Sequence, residues 1–454
     1  MKLPELLVNS LDGVKGFDKE AFINLHESGE RVTSIRINPS KNFDFPISGF
    51  ELSQVPWSNH GYYLSQRPSF TFDPFFHSGC YYVQEASSMF IEQALKQTVN
   101  LSQPLKILDL AAAPGGKSTH IQSLMSADSL LVSNDVIRSR SHILKDNIIK
   151  WGTDNVVVTN NDPQDFSALV NYFDIIVVDA PCSGSGLFRR DKEAIGEWNK
   201  NNVQLCCGRQ RRILSDVWPA LKNNGILVYS TCSYSKEEDE DIIDWIKTEL
   251  SEGVPQSIAS FQLSIDPQWK IIESGDGYRF WPDKVKGEGF FLACVKKQGE
   301  DHEKEIRLKR KLEPLTRKEM EIVNHWVKKT DHEYVKMANT VYSVPGPLVK
   351  NFTLLINELN VVYFGILIGE LVRDKLIPAH ALAMSALVSD NVESMELNKE
   401  ETISYLQKKD LGKINASAGW KLITYKNHSL GWVNVLPNRI NNYYPKELRI
   451  LKDI

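Results

Sequence analysis

From Leu105 to His120 the chain reads Leu-Lys-Ile-Leu-Asp-Leu-Ala-Ala-Ala-Pro-Gly-Gly-Lys-Ser-Thr-His. An apolar run of strand length enters a loop of small residues, and a helix is expected to start near Gly115–Lys117. Small side chains let the backbone approach a ligand closely, and the free amides of a helix start hold an anion. Outward from this stretch the pattern repeats. Short apolar runs at Ile107–Leu110, Leu130–Ser133, Val156–Thr159, Ile175–Val178 and Ile226–Tyr229 are bounded by turn residues and separated by helical stretches. Strands alternating with helices over residues 105–297 predict an α/β fold, a mostly parallel sheet with helices on both faces. Phe290–Val295 reads as a late strand, with an antiparallel partner near Tyr278–Trp281. Open sheets of this kind bind ligands at the carboxyl ends of their strands.

Two ligands fit the loop. Ala111 through Ser118 follows a relaxed phosphate-loop pattern, although the strict form needs Gly where Ala111 stands. Phe173-Asp-Ile-Ile-Val-Val-Asp179 resembles the strand and Asp that hold magnesium in nucleotide hydrolases. The other ligand is S-adenosylmethionine, which calls for acids after the following strands to hold a ribose and an adenine. Asp135, Asp162 and Asp179 each end such a strand. Alone, any one of them reads as a turn or helix cap; in register, they favour a nucleoside.

Two cysteines separate the readings. Asp179-Ala-Pro-Cys182-Ser-Gly follows one strand, and Ser230-Thr-Cys232-Ser-Tyr-Ser follows the next. In a parallel sheet both loops emerge on the edge that carries the Ala111–Lys117 loop. Phosphate hydrolysis gives two thiols there no task. Methylation of carbon 5 of a pyrimidine does, because a thiolate added at carbon 6 makes carbon 5 nucleophilic. Local residues do not rank Cys182 against Cys232. Cys80, Cys206, Cys207 and Cys294 read as small buried hydrophobes. With no Cys-x-x-Cys pair and no clustered His, no metal is assigned.

The 454 residues suggest two to four domains. A hydrophobic share of 42% and a charged share of 24% are those of a globular protein, and exclude bulk disorder and collagen-like repeats. Six cysteines without framework spacing argue for a reducing cytoplasm. No signal peptide is read at the start. The longest apolar run, Val361–Ile368, is broken by Gly365 and is too short to span a membrane. The net charge is 53 − 57 = −4, so a whole-chain signature for nucleic acid is absent. Charge is segregated, however: Lys399–Ile454 holds ten Lys/Arg against five Asp/Glu, a local +5.

Residues 107–118, 134–135, 174–186 and 225–233 resemble the RNA (cytosine-5) methyltransferases of the NOL1/NOP2/Sun family. The combination Ala-Ala-Pro-Gly-Gly-Lys, Asp-x-Pro-Cys-Ser-Gly and Ser-Thr-Cys-Ser is highly specific. The likeness runs from Arg36-Ile-Asn38 and Gln84-Glu-Ala-Ser-Ser-Met89 through about residue 297. It implies a class I, Rossmann-like methyltransferase core that uses S-adenosylmethionine. Ala111, Ala112, Ala113, Pro114, Gly115, Gly116 and Lys117 would form the cofactor loop. Asp135 would bind the ribose hydroxyls, and Asp162 would lie beside the adenine. Asp179 would sit where cofactor and target base meet. The resemblance makes Cys232 the nucleophile and Cys182 the thiol that assists adduct release. Gly419-Trp-Lys, Leu430-Gly-Trp-Val and Asn441-Asn-Tyr-Tyr-Pro-Lys-Glu-Leu-Arg449 resemble the PUA-type RNA-binding tail of the family's bacterial F-type branch, which methylates 16S ribosomal RNA. That implies ribosomal RNA, or the small subunit, as partner. Trp420, Tyr425, Trp432, Tyr443 and Tyr444 offer stacking faces, or a small-barrel core.

The expected organisation is a small α+β N-terminal RNA-binding region (1–98), the methyltransferase core (99–297), a charged linker becoming a solvated helix (298–318), a helical region (319–396) and a β-rich PUA-like RNA-binding piece (397–454). In the first of these, Asp18–Ser28 and Val83–Thr98 read as helices, and Val32, Ile35 and Ile37 as a strand ending at Asn38-Pro39. Arg36 is expected either exposed on that strand or against substrate. Arg189-Arg190 is expected as a surface pair or an RNA phosphate contact.

Overall fold

The computed structural model describes residues 3–43, 51–250, 258–299, 312–411 and 416–453. Its centre is a ten-stranded sheet. Five parallel strands form the middle: β1 (Lys106–Asp109), β2 (Leu130–Asn134), β3 (Val156–Thr159), β4 (Phe173–Asp179) and β5 (Leu221–Thr231). Their spatial order is β5-β4-β1-β2-β3. Antiparallel β6 (Gly277–Phe280) and β7 (Phe290–Lys297) extend the sheet beyond β5, as expected from their sequence.

The strands are buried on both faces, which is why they read as unbroken apolar runs. Ile107, Leu131, Val158, Ile175, Val177 and Val228 pack with Ile121 of α1 (Gly116–Leu124) and with Leu144 and Ile148 of α2 (Arg138–Trp151). Their neighbours Leu108, Val132, Val157, Ile176, Val178 and Leu227 pack with Val203, Leu214 and Val217 of α3 (Lys200–Val217). One-residue alternation between two cores is the strand period of two.

Three expectations need correction. The region 319–396 is not a helical domain. Helices Arg317–Val323, Val349–Glu358 and His380–Met384 are present, but they flank a five-stranded sheet that includes His332–Met337, Thr340–Pro345, Ile366–Val372 and Lys375–Pro378. The apolar run Val361–Ile368 serves two sheets: β8 (Val361–Phe364) pairs antiparallel with β3, and Ile366 starts a strand of the second sheet. Gly365 makes the switch at φ +53°, with its Cα pressed on the Ser343 carbonyl so that a side chain there would clash. Second, Val83–Thr98 is helical only from Ile91 to Thr98, after a 3₁₀ turn at Ser87–Phe90. Side chains compete for the backbone there: the Glu85 carboxylate accepts from the Ser87 and Ser88 amides at 2.9 Å each. Third, Arg36 is neither exposed nor set against substrate; it is 1% exposed. Most of the charged stretch 298–318 lies outside the described residues.

Thr33–Ile37 belongs to a four-stranded N-terminal sheet, and Arg36 joins that sheet to α1. Its guanidinium donates to Gln84 Oε1 (2.9 Å), Thr119 Oγ1 (2.6 Å), the Gly116 carbonyl (3.3 Å) and Ser123 Oγ (3.3 Å), and lies 4.6 Å from the Trp151 ring centroid. The C-terminal sheet comprises Ser394–Glu396, Gly419–Tyr425, His428–Leu436 and Arg439–Asn442. Of its aromatics, Trp432 and Tyr444 are buried, while Tyr443 is 40% exposed. Among the described residues no helix is long and apolar enough to cross a membrane.

Two predictions concern the seating of α1. Arg36→Met strands acceptors on two elements and is expected to lower stability by about 2–4 kcal/mol in urea denaturation, with Arg36→Lys failing to restore it. Asp109, fully buried at the end of β1, accepts from Ser118 Oγ at 2.7 Å. Burial pushes its carboxyl up to about 7, against the Ser118 hydrogen bond and nearby Lys117. Between roughly pH 4 and pH 7 the folded chain therefore keeps a proton that the unfolded chain has released, so stability falls as pH rises through that window. Asp109→Asn is expected to shrink the loss of urea resistance between about pH 5 and about pH 8.

Candidate active site

The chain order places β1 and β4 side by side while their crossovers leave in opposite directions. The crevice at their carboxyl ends is where such sheets bind ligands. β1 ends at Asp109, and the loop Leu110–Gly115 leads into α1. Gly115 has φ +115°, a value that side chains avoid, and a cis peptide bond joins Ala113 to Pro114. The loop is held from outside: the Ala112 amide donates to the Asn134 carbonyl (2.8 Å), Arg140 to the Ala113 carbonyl (2.8 Å) and Asn147 to the Pro114 carbonyl (2.8 Å).

Lys117, at the start of α1, turns across the crevice to Asp179 at the end of β4, with Nζ 2.7 Å from Oδ2. Burial works against the ammonium, but Asp179, Asp109 and Cys232 outweigh it and raise its pKa. Asp179 also accepts from Ser230 Oγ at 2.8 Å, and its side chain is 36% exposed.

The two loops singled out in the sequence converge here. Cys182 Sγ and Cys232 Sγ lie 3.1 Å apart, and both thiols are half-buried. Cys80, Cys206, Cys207 and Cys294 are buried elsewhere. The hydrogen bond with Cys232, then burial, hold the Cys182 thiol well above its ordinary range. Gly186 packs its Cα against the Cys232 and Gly289 carbonyls, where a side chain would clash, and donates to the former at 2.8 Å.

Asp135 is buried at the end of β2, accepts from the Ile137 amide (2.9 Å) and faces Arg140 at 3.4 Å. Asp162 caps the turn Pro163–Ala168 and pairs with Arg212 of α3 at 3.3 Å, with 40% of its side chain exposed. The Arg189-Arg190 pair splits: Arg189 is buried against Glu288 at 3.0 Å, and Arg190 is exposed. Glu238, buried between the two cysteine loops, was missed because it stands in the acidic run Glu237–Asp241, which reads as a solvated face.

The donor set fits S-adenosylmethionine. Ribose hydroxyls need carboxylate acceptors, which Asp135 has at the adjacent strand end. A methionine tail needs a backbone-lined loop and amides at a helix start, which Ala111–Gly116 and α1 have.

The core over residues 96–296 matches the family of 16S rRNA methyltransferase RsmB/F. Residues 3–86 match the N-terminal domain of 16S rRNA methyltransferase RsmF, and residues 392–450 match the RsmF PUA domain. Ribosomal RNA small subunit methyltransferase F of Psychromonas ingrahamii is 29% identical over 98% of this chain and 97% of its own length. That of Shewanella piezotolerans is 30% identical over 92% of this chain and 90% of its own. The crystal structure of PH0851 superposes with a TM-score of 0.57 at 26% identity, covering 65% of this chain and 66% of that one. NSun6 from Pyrococcus horikoshii with SFG shares the fold, with a TM-score of 0.52 at 20% identity over 65% of this chain and 99% of its own. The relatives aligned over nine-tenths or more of both chains assign this one to the ribosomal RNA small subunit methyltransferase F family, RNA methyltransferases that use S-adenosylmethionine.

Proposed function

We propose that the chain methylates carbon 5 of a cytosine in 16S ribosomal RNA through a covalent adduct with Cys232. The observation that carries the reading is the 3.1 Å contact of two thiols beside the Lys117–Asp179 pair. Pyrimidine carbon 5 is a poor nucleophile until carbon 6 has accepted a thiolate. A cytosine turned out of its stack would enter the crevice, at a cost of a few kcal/mol. Asp179 would accept from its N4 amino group, the donor that marks cytosine. Cys232 then adds to carbon 6, and the ring electrons move to carbon 5. Bound S-adenosylmethionine supplies the electrophilic methyl group. Ala111–Lys117 would hold its methionine part and sugar, Asp135 its ribose and Asp162 the adenine side.

Release needs the carbon 5–hydrogen and carbon 6–sulfur bonds to break. The electron pair restores the ring double bond, the proton passes to water in the crevice, and Cys232 leaves as thiolate. Cys182 stays protonated beside it and hydrogen-bonds the departing sulfur. The assignment of these roles follows the family likeness and is supported by the raised Cys182 thiol. We place the reaction in a reducing cytoplasm, where both thiols persist. The basic C-terminal sheet would supply phosphate contacts.

With tritiated S-adenosylmethionine and RNA from cells lacking the gene, label is expected in small-subunit RNA as 5-methylcytidine. Label in another RNA would move the substrate and keep the chemistry. Cys232→Ala is expected to cut methyl transfer by a thousandfold or more, on the order seen for lost nucleophiles. Cys182→Ala is expected to leave a protein–RNA adduct that survives a denaturing gel. Adduct in Cys232→Ala instead would reverse the two roles.

A further inference from the structure

Glu238 has a position that the reaction as described does not use. It lies in the 3₁₀ turn Lys236–Glu238, seven residues beyond the end of β5, and is fully buried. Its carboxylate is the meeting point of both cysteine loops. Oε1 accepts from the Ser183 amide at 2.7 Å and faces Gln210 Nε2 at 3.5 Å. Oε2 accepts from Ser183 Oγ at 2.5 Å and from Ser233 Oγ at 2.6 Å. Ser183 is the neighbour of Cys182, and Ser233 is the neighbour of Cys232. Gln210, on α3, also donates to the Pro181 carbonyl at 3.1 Å.

The nearby cation does not serve it. Arg279 is taken by Asp239 at 3.1 Å and Glu240 at 2.5 Å. Glu238 is thus a buried carboxylate satisfied by neutral donors alone, and burial raises its pKa against the Ser183 and Ser233 hydrogen bonds. Two serines facing a small polar or apolar residue would join the loops at less desolvation cost.

Two further bonds join the loops beyond the thiols, from the Gly186 amide to the Cys232 carbonyl and from the Tyr234 amide to Ser185 Oγ at 2.9 Å. Next to the thiols themselves the ties differ: Thr231 Oγ1, beside Cys232, donates to Asp239 at 2.5 Å. On the Cys182 side, Ser183 is tied by both its amide and its hydroxyl to Glu238. We propose that Glu238 is a positioning residue that keeps Cys182 against Cys232, so that it governs release of the RNA adduct rather than its formation. This rests on the two-thiol reading above. The carboxylate also adds to the forces that keep the Cys182 thiol protonated, after the hydrogen bond and charge interaction with Cys232 and burial. In the release step Cys182 is then a hydrogen-bond donor to the leaving sulfur, and the bonds made and broken are those already given.

The test uses the full chain, tritiated S-adenosylmethionine and ribosomal RNA from cells lacking the gene. Glu238→Gln is expected to keep single-turnover methyl transfer within about threefold of the parent, while steady turnover falls at least about tenfold and denaturant-stable adduct rises by a similar factor. Ser183→Ala combined with Ser233→Ala keeps the carboxylate and removes both hydroxyl donors, and is expected to move the same ratio in the same direction. Should Glu238→Gln fail to fold, the serine pair decides alone. Unchanged turnover, or adduct and methyl transfer lost together in equal measure, would overturn the proposal. Cys182→Ala is the control: adduct there with none in Glu238→Gln or the serine pair sinks the proposal alone, whereas no adduct in Cys182→Ala sinks the two-thiol reading and the proposal with it.

Discussion

The parallel pairing of β1 with β4, which sets Asp109 opposite Val177, is the constraint on which the site depends. From β1 the chain runs outward to β2 and β3, then returns across the sheet to place β4 on the other side. Helices α1 and α2 cover one face and α3 the other. Only between β1 and β4 do the loops part toward opposite faces, and the crevice follows from that parting. β4 and β5 are parallel neighbours, with Asp179 opposite Ser230. Cys182 lies three residues past one strand end and Cys232 one residue past the other. Register alone therefore brings the two thiols to the same edge.

That register was legible because the core strands are buried on both sides, so that every residue in Val156–Thr159 is apolar or small and β-branched. The same holds for the cysteine loops, whose small polar neighbours contradict an ordinary buried thiol. The middle sheet was not legible. His332–Met337 carries its charged residues, Glu333 and Lys336, three positions apart and has one buried residue, Val335, so no strand period stands out. Its strands are defined by pairing with distant partners, such as Thr340 with Glu370. Arg36 was misread for a related reason. A strand Arg is ordinarily exposed, and its acceptors on α1 are more than seventy residues away.

Two kinds of buried carboxylate can be set side by side. Arg279 with Asp239 and Glu240, and Arg189 with Glu288, are opposite charges brought together, which local packing explains. Asp109 and Glu238 are carboxylates held mainly by serine hydroxyls and amides. Such groups cost more free energy than an apolar replacement. Both lie within one turn of a loop that borders the crevice. Departures from low-cost packing gather where a sequence is constrained by chemistry rather than by the fold.

The C-terminal sheet is not a loosely tethered tail. Trp432 donates from Nε1 to the Ala379 carbonyl at 2.8 Å and packs edge-on against Trp326 at 5.8 Å. Tyr425 meets Phe75 at 5.3 Å, and Tyr444 meets His77 at 3.4 Å, so the same sheet also rests on the N-terminal region. β8 stitches the middle sheet to β3, and Arg36 stitches the N-terminal sheet to α1. The contacts close a ring around the core. Binding energy gained far from a reacting atom helps only when the connection is stiff enough to hold that atom in place. Buried aromatic and hydrogen-bonded joints serve that condition, because they tie the C-terminal sheet to the elements packed around the core instead of leaving it on a single strand of chain.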